Sequence, residues 1–177
     1  MNLSILITCL ISAFMILLIH ESGHLIAAKL LKIKIDKIGF SSKPFPQFYV
    51  SVIDHKLTLS KRIIFLLSGN AMVVTTFIIY LLSGFSNIYI FYILALQILI
   101  DTNPVYSDYV IAIASYLYRK DIRKHFFNKK TDHKDQAGSL SEEIKEKYKF
   151  SKEWYLHMIL WGGMIILLYQ IKYLFIF

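Results

Sequence analysis

The sequence predicts an all-α membrane protein of about four transmembrane helices, with a short β-hairpin after the first. Three observations predict it. Hydrophobic residues make up 56% of the 177-residue chain, and mean hydropathy is +0.52, more apolar surface than a soluble fold of this size can hide. The apolar residues gather in stretches long enough to cross a bilayer, which takes about 20 residues. The basic residues gather elsewhere. Of the 20, eight lie in 29–62 and eleven in 119–152, leaving only Lys172 outside these blocks.

Two basic loops separated by an uncharged stretch are a topology signal. The net charge of +8 would suit a nucleic-acid binder, but no folded module remains to carry that function, so nucleic acid is not expected as a partner. The single cysteine, Cys9, cannot form an internal disulfide or a cysteine-based zinc site, and reads as a small apolar side chain within a span. No basic n-region and no small-residue cleavage site mark the N-terminus, so the first stretch is expected to be a retained span.

The elements follow in order. Residues 1–19 carry no charged side chain, and the next charge after Glu21 is Lys29. This predicts a first span over about 3–31. Such a helix is about 43 Å long, against a hydrocarbon layer of about 30 Å, so one end emerges. In 32–58, Ile33, Ile35 and Ile38 mix with Lys34, Asp36 and Lys37, a Pro44/Pro46 loop follows, and Phe48–Ile53 is aromatic and β-branched. That pattern predicts two short strands at the membrane surface.

From Ile63 to Ile100 no residue is charged. This is too long for one span, and Ser83-Gly84-Phe85-Ser86-Asn87 supplies the break. A second span over 61–82, with Ser60 as N-cap, and a third from 88 are expected. The third span, 88–118, is interrupted at 101–104 by Asp101-Thr102-Asn103-Pro104, because proline removes a backbone donor and disfavours helix just before it. Residues 119–152 form a charged loop, in which Ser139-Leu140-Ser141-Glu142 fits a capping box for a helix over 140–150. The chain ends in an apolar helix over 153–177. Residues 1–118 are thus a core, 119–152 a cytoplasmic loop and 153–177 a further transmembrane helix.

With the N-terminus outside, both basic loops are cytoplasmic, and the 83–87 loop, without Lys or Arg, is outside. The lysine- and isoleucine-rich composition suggests a multi-pass protein of a bacterial plasma membrane.

His20-Glu21-Ser22-Gly23-His24 is an HExxH motif inside the first span. Ionisable residues at membrane depth are expensive, which makes them functional candidates. His20 and His24 are four apart, so a helix puts them on one face, where two imidazoles can grip one Zn2+ ion. Glu21 sits one step round, where the general base for a zinc-activated water belongs. The site is expected toward the cytoplasmic side.

A catalytic zinc usually takes three protein ligands. Histidine candidates are His55, His125, His133 and His157. The first three fall in loops, and His157 reads as an interfacial residue. In the apolar stretches 63–118 and 154–177 the only acids are Asp101 and Asp108. Counted from Arg119, Asp108 lies as deep as His20 and His24 counted from Lys32, roughly 12–18 Å. Asp101 lies about 10 Å deeper along a straight helix. Asp108 is therefore the expected third ligand, with Asp101 as alternative ligand or as a partner that orients one.

These residues carry a family resemblance. Leu18–Phe40, with His20-Glu21-Ser22-Gly23-His24, Ala27-Ala28-Lys29 and the strand ending Gly39-Phe40, resembles the site-2 protease family of intramembrane zinc metalloproteases. Asn103-Pro104-Val105-Tyr106-Ser107-Asp108 is similar to that family's Asn/Pro break and aspartate motif. Tyr109 stands where the family has glycine, and the Pro-to-Asp spacing is one residue shorter. Ser68-Gly69-Asn70 resembles the family's small-residue and asparagine motif, with Asn70 beside Gly69 and not a turn later. The resemblance covers about residues 10–118.

It implies a three-helix metalloprotease core. In that core His20, His24 and Asp108 hold zinc and Glu21 is catalytic. Asn70, Asn103 and Asp101 contact substrate or orient a ligand, and Asn103 alternatively only caps the broken helix. The implied substrates are membrane proteins or peptide precursors held in the bilayer, and the hairpin either extends them by β-addition or is only a structural element of the membrane interface. The competing expectation is a catalytically inactive relative, serving as a peptide-binding, immunity or transport accessory protein.

Overall fold

The computed structural model describes residues 3–41, 47–52, 57–84, 87–105, 107–120 and 143–175. In chain order these form α1 (Leu3–Leu30), β1 (Ile35–Ser41), β2 (Gln47–Val52), α2 (Leu59–Leu82), α3 (Ile88–Asp101), α4 (Asp108–Leu117), a helical segment at 143–148, and α5 (Lys152–Phe175). The described residues are mostly helical, with one two-stranded sheet among them.

Among the described residues three helices, α1, α2 and α5, are long and apolar enough to cross a membrane. The stretch expected to be a third, interrupted span is two shorter helices, α3 of 14 residues and α4 of 10. At 1.5 Å per residue they are about 21 and 15 Å long, so neither crosses alone. Exposed apolar side chains such as Leu10, Ile11, Ile159 and Ile166 stud the outer faces of α1 and α5. A bilayer would cover them without cost.

α1 stops without a glycine. Lys32 takes the left-handed conformation (φ 52°) that usually falls to glycine. Its N–H bonds to Lys29 O at 3.2 Å, and Ile33 N–H bonds to Ala28 O at 2.8 Å. Ala28 and Ile33 share a buried cluster with Phe65. This is a Schellman stop with its apolar contact. It turns the chain into β1, which pairs antiparallel with β2 from Ile35↔Val52 to Ser41↔Gln47, with a bulge between Ile35 and Lys37.

Thr58, not Ser60, caps α2. Its hydroxyl accepts from Lys61 N–H at 3.4 Å, so the helix starts at Leu59, two residues earlier than the apolar pattern suggests. Gly84 (φ +68°) turns the chain after α2. Asn87 then caps α3, accepting from the N–H groups of Tyr89 and Ile90. The main core lies between α2 and α3, where Val73, Phe77, Tyr80, Phe91, Leu94 and Ile98 meet Ile16 of α1 and Leu168 of α5. A second cluster joins Val110 and Ala114 of α4 to Ile144 and Tyr148 of the 143–148 segment. The residues proposed to cap that segment, Ser139–Glu142, lie outside the described residues.

Candidate metal centre

Two glycines bring α1 and α2 close enough to build a site. A Cβ on Gly23 would collide with the backbone oxygen of Ser68, and one on Gly69 would lie 2.6 Å from Nε2 of both His20 and His24. Gly69 is therefore the floor on which the two rings rest. In the sequence only a motif resemblance marks it; its contact with the rings depends on how two helices pack.

Each ring is pinned through Nδ1. His24 Nδ1 lies 2.8 Å from Phe65 O, a carbonyl that also accepts from Ser68 Oγ at 2.6 Å. His20 Nδ1 lies 2.8 Å from Asp101 Oδ2, and Asp101 Oδ1 accepts from Gln97 Nε2 at 2.7 Å. A carbonyl and a carboxylate can only accept, so both Nδ1 atoms carry the proton and donate. In neutral imidazoles both Nε2 atoms then present lone pairs, and these face each other across 3.1 Å.

Asp108 completes the group. It occupies the first turn of α4 because Ser107 caps that helix, its hydroxyl accepting from Val110 N–H. Asp108 Oδ2 lies 3.3 Å from His24 Nε2 and 4.0 Å from His20 Nε2. His20, His24 and Asp108 each offer one ligand atom, all within 4.8 Å of one another. Donors about 2.0–2.1 Å from one tetrahedral ion stand about 3.3 Å apart, so the donor set and its spacing fit a zinc ion. Two unprotonated nitrogens turned toward each other beside a carboxylate repel, and a metal ion or a proton between them relieves this. The residues fit the metal.

Glu21 lines the same pocket, about 410 Å³ in volume, with Leu17, Phe48, Tyr49 and Val50 among its walls. Its Oε2 is buried, with no hydrogen-bond partner among the described residues. β2 thus forms one wall of the pocket, and Phe48 packs edge-on against Phe14 of α1 with ring centres 5.5 Å apart.

The other candidates stand elsewhere. Asn103 Oδ1 accepts from Val105 N–H at 2.9 Å and so caps the break. Asn70 does not line the Glu21 pocket. It lines a different one, about 400 Å³, between α2, α4 and α5, with its Oδ1 buried and unpaired among the described residues. His157 has both ring nitrogens engaged, with Tyr148 and Thr102 O, away from the cluster. His55, His125 and His133 lie outside the described residues. Gln97 and Phe65 also support the cluster, and nothing in their residue types marks them in the sequence.

No family model, curated protein or solved structure matches this chain.

Proposed function

We propose that the protein is an intramembrane zinc endopeptidase of the site-2 protease type. One observation carries this: two histidines with Nδ1 committed and Nε2 converging, closed by Asp108 and flanked by the Glu21 carboxylate, whose Oε2 is buried without a partner among the described residues. His20, His24 and Asp108 would hold the ion. Zinc bound there supplies Lewis acidity, polarising a peptide carbonyl and acidifying water near neutral pH.

The chain's own groups do the rest. Asp101 and the Phe65 carbonyl hold the imidazoles in one tautomer, as carboxylate and carbonyl partners of metal-binding histidines do. Glu21 takes a proton from the attacking water and passes it to the departing amine nitrogen as the peptide C–N bond breaks. Substrate must be extended to expose a carbonyl. β2 lines the pocket and has a strand partner on one side only among the described residues, so an extended peptide can add along its other edge. Membrane proteins or peptide precursors are the substrates of this chemistry. The lipid bilayer is the medium, and the site opens toward the cytoplasmic side of a bacterial plasma membrane.

Glu21→Gln tests the proposal. Zinc content should match wild type, while cleavage of a membrane-embedded reporter falls by roughly 10²–10⁴, the usual worth of a general base. Cleavage at the wild-type rate by Glu21→Gln would overturn the peptidase reading in favour of an accessory role.

A further inference from the structure

A helix broken at membrane depth frees carbonyls that water does not reach, and each must find a donor. Around the α3–α4 break some donors are local. Ile98 O accepts from Thr102 N–H at 3.0 Å and from Thr102 Oγ1 at 2.7 Å. Asn103 N–H turns to Ile100 O at 3.1 Å, which leaves Leu99 O without its helical donor. Asn103 O accepts from Ser107 Oγ at 2.6 Å.

Three more carbonyls are capped from another helix. Trp161 Nε1 donates to Leu99 O, His157 Nε2 to Thr102 O and Trp154 Nε1 to Pro104 O, each at 2.9 Å. Trp154, His157 and Trp161 stand at i, i+3 and i+7, one face of α5. The three donors thus span the break in order, from the last turn of α3 to the proline.

The central donor is itself fixed. Tyr148 Oη lies 3.0 Å from His157 Nδ1, and Tyr148 is 1% exposed, packed against Val110 and Ala114 of α4. Thr102 O can only accept, so His157 Nε2 carries the hydrogen, and in the neutral imidazole Nδ1 accepts from the Tyr148 hydroxyl, whose other, longer contact is Glu153 O at 3.4 Å. Burial pushes that phenol up to about 12, so it keeps the proton this needs. Thr102 follows Asp101, whose carboxylate pins His20, and the far end of the break is Ser107-Asp108.

We infer that α5 is a clamp on this break, and that His157 is a positioning residue which sets where Asp101 and Asp108 stand relative to each other. The inference rests on the metal centre proposed above and assigns the last helix a part in it.

The test uses the full chain in detergent, with Cys9→Ser and spin labels on cysteines placed at the exposed positions Leu96 of α3 and Tyr116 of α4. The distance between labels reads the break directly, and zinc affinity is measured separately by competition with a chromogenic chelator. In His157→Leu the distance distribution should broaden or shift, and zinc affinity should fall about 10- to 100-fold, as when an outer partner of a metal ligand is lost. His157→Gln, whose amide can both donate to Thr102 O and accept from Tyr148, should restore both. An unchanged distance in His157→Leu overturns the clamp, whatever zinc does. A changed distance in a protein whose wild type binds no zinc keeps the clamp and rejects the metal centre. Should His157→Leu not fold, Tyr148→Phe removes the bond that fixes His157, and Trp161→Phe removes one donor from the ladder. Wild-type distances in both would equally overturn it.

Discussion

Asp101 and Asp108 look alike in the sequence, two lone acids in apolar surroundings, and the structure separates them by what each oxygen touches. Asp101 is 7% exposed and occupied on both oxygens, by His20 Nδ1 and Gln97 Nε2. Asp108 is more open, and its Oδ2 faces the Nε2 atoms. Loss of each should therefore differ in kind. Asp108→Ala removes a ligand, and the purified protein should carry little zinc. Asp101→Asn keeps a hydrogen-bond acceptor but loses the charge that fixes the His20 tautomer, so zinc should bind about 10- to 100-fold more weakly. Metal analysis of both beside wild type checks this. A full complement in Asp108→Ala would return the third-ligand role to Asp101.

Between elements, the decisive contact is α1 on α2. A Cβ at Gly69 falls 2.6 Å from both Nε2 atoms. The rings cannot swing aside without breaking the bonds to Asp101 and Phe65 O. Gly69→Ala should abolish zinc binding and cost about 1–3 kcal/mol of stability, the range for overpacking. Gly163→Ala on α5, where a Cβ meets nothing within 4 Å, should leave metal content and thermal midpoint unchanged. Equal behaviour of the two variants would refute this packing account. The same scale shows what a sequence can reveal. The four-residue spacing of His20 and His24 is a property of one helix, and so is legible. So is the break, since Pro104 announces it. Its angle is not: Asp101 counts as about 10 Å too deep only if α3 and α4 are collinear, and the kink cancels that offset. Trp154, His157 and Trp161 carried a readable signal, three N–H donors at helical spacing, each needing an acceptor in apolar surroundings. Their acceptors lie 50 to 62 residues away and become visible only when the helices are packed.

Across the whole molecule, orientation decides which compartment supplies water and substrate ends to the site. Both basic blocks lie on connections of the same parity: after α1, and between α4 and α5. The connection between α2 and α3 carries no Lys or Arg. Positive charge resists translocation, so we propose that the basic connections are inside and the α2–α3 turn outside. His20 and His24 occupy the C-terminal half of α1, the half nearer its basic end, so this orientation would set the candidate metal centre toward the cytoplasm. A Cys9→Ser background makes this measurable, because Cys9 is the only cysteine. Single cysteines at Ser83 and Glu146, both exposed, sample the two sides. In intact cells a membrane-impermeant maleimide should label Ser83→Cys and spare Glu146→Cys until the cells are opened. The reverse pattern would turn the protein over and move the site to the outer half of the bilayer. Labelling of both in intact cells would mean that α3 and α4 together do not cross. The broken pair would then be a re-entrant element, and Asp108 would have to reach the histidines from the same side it entered.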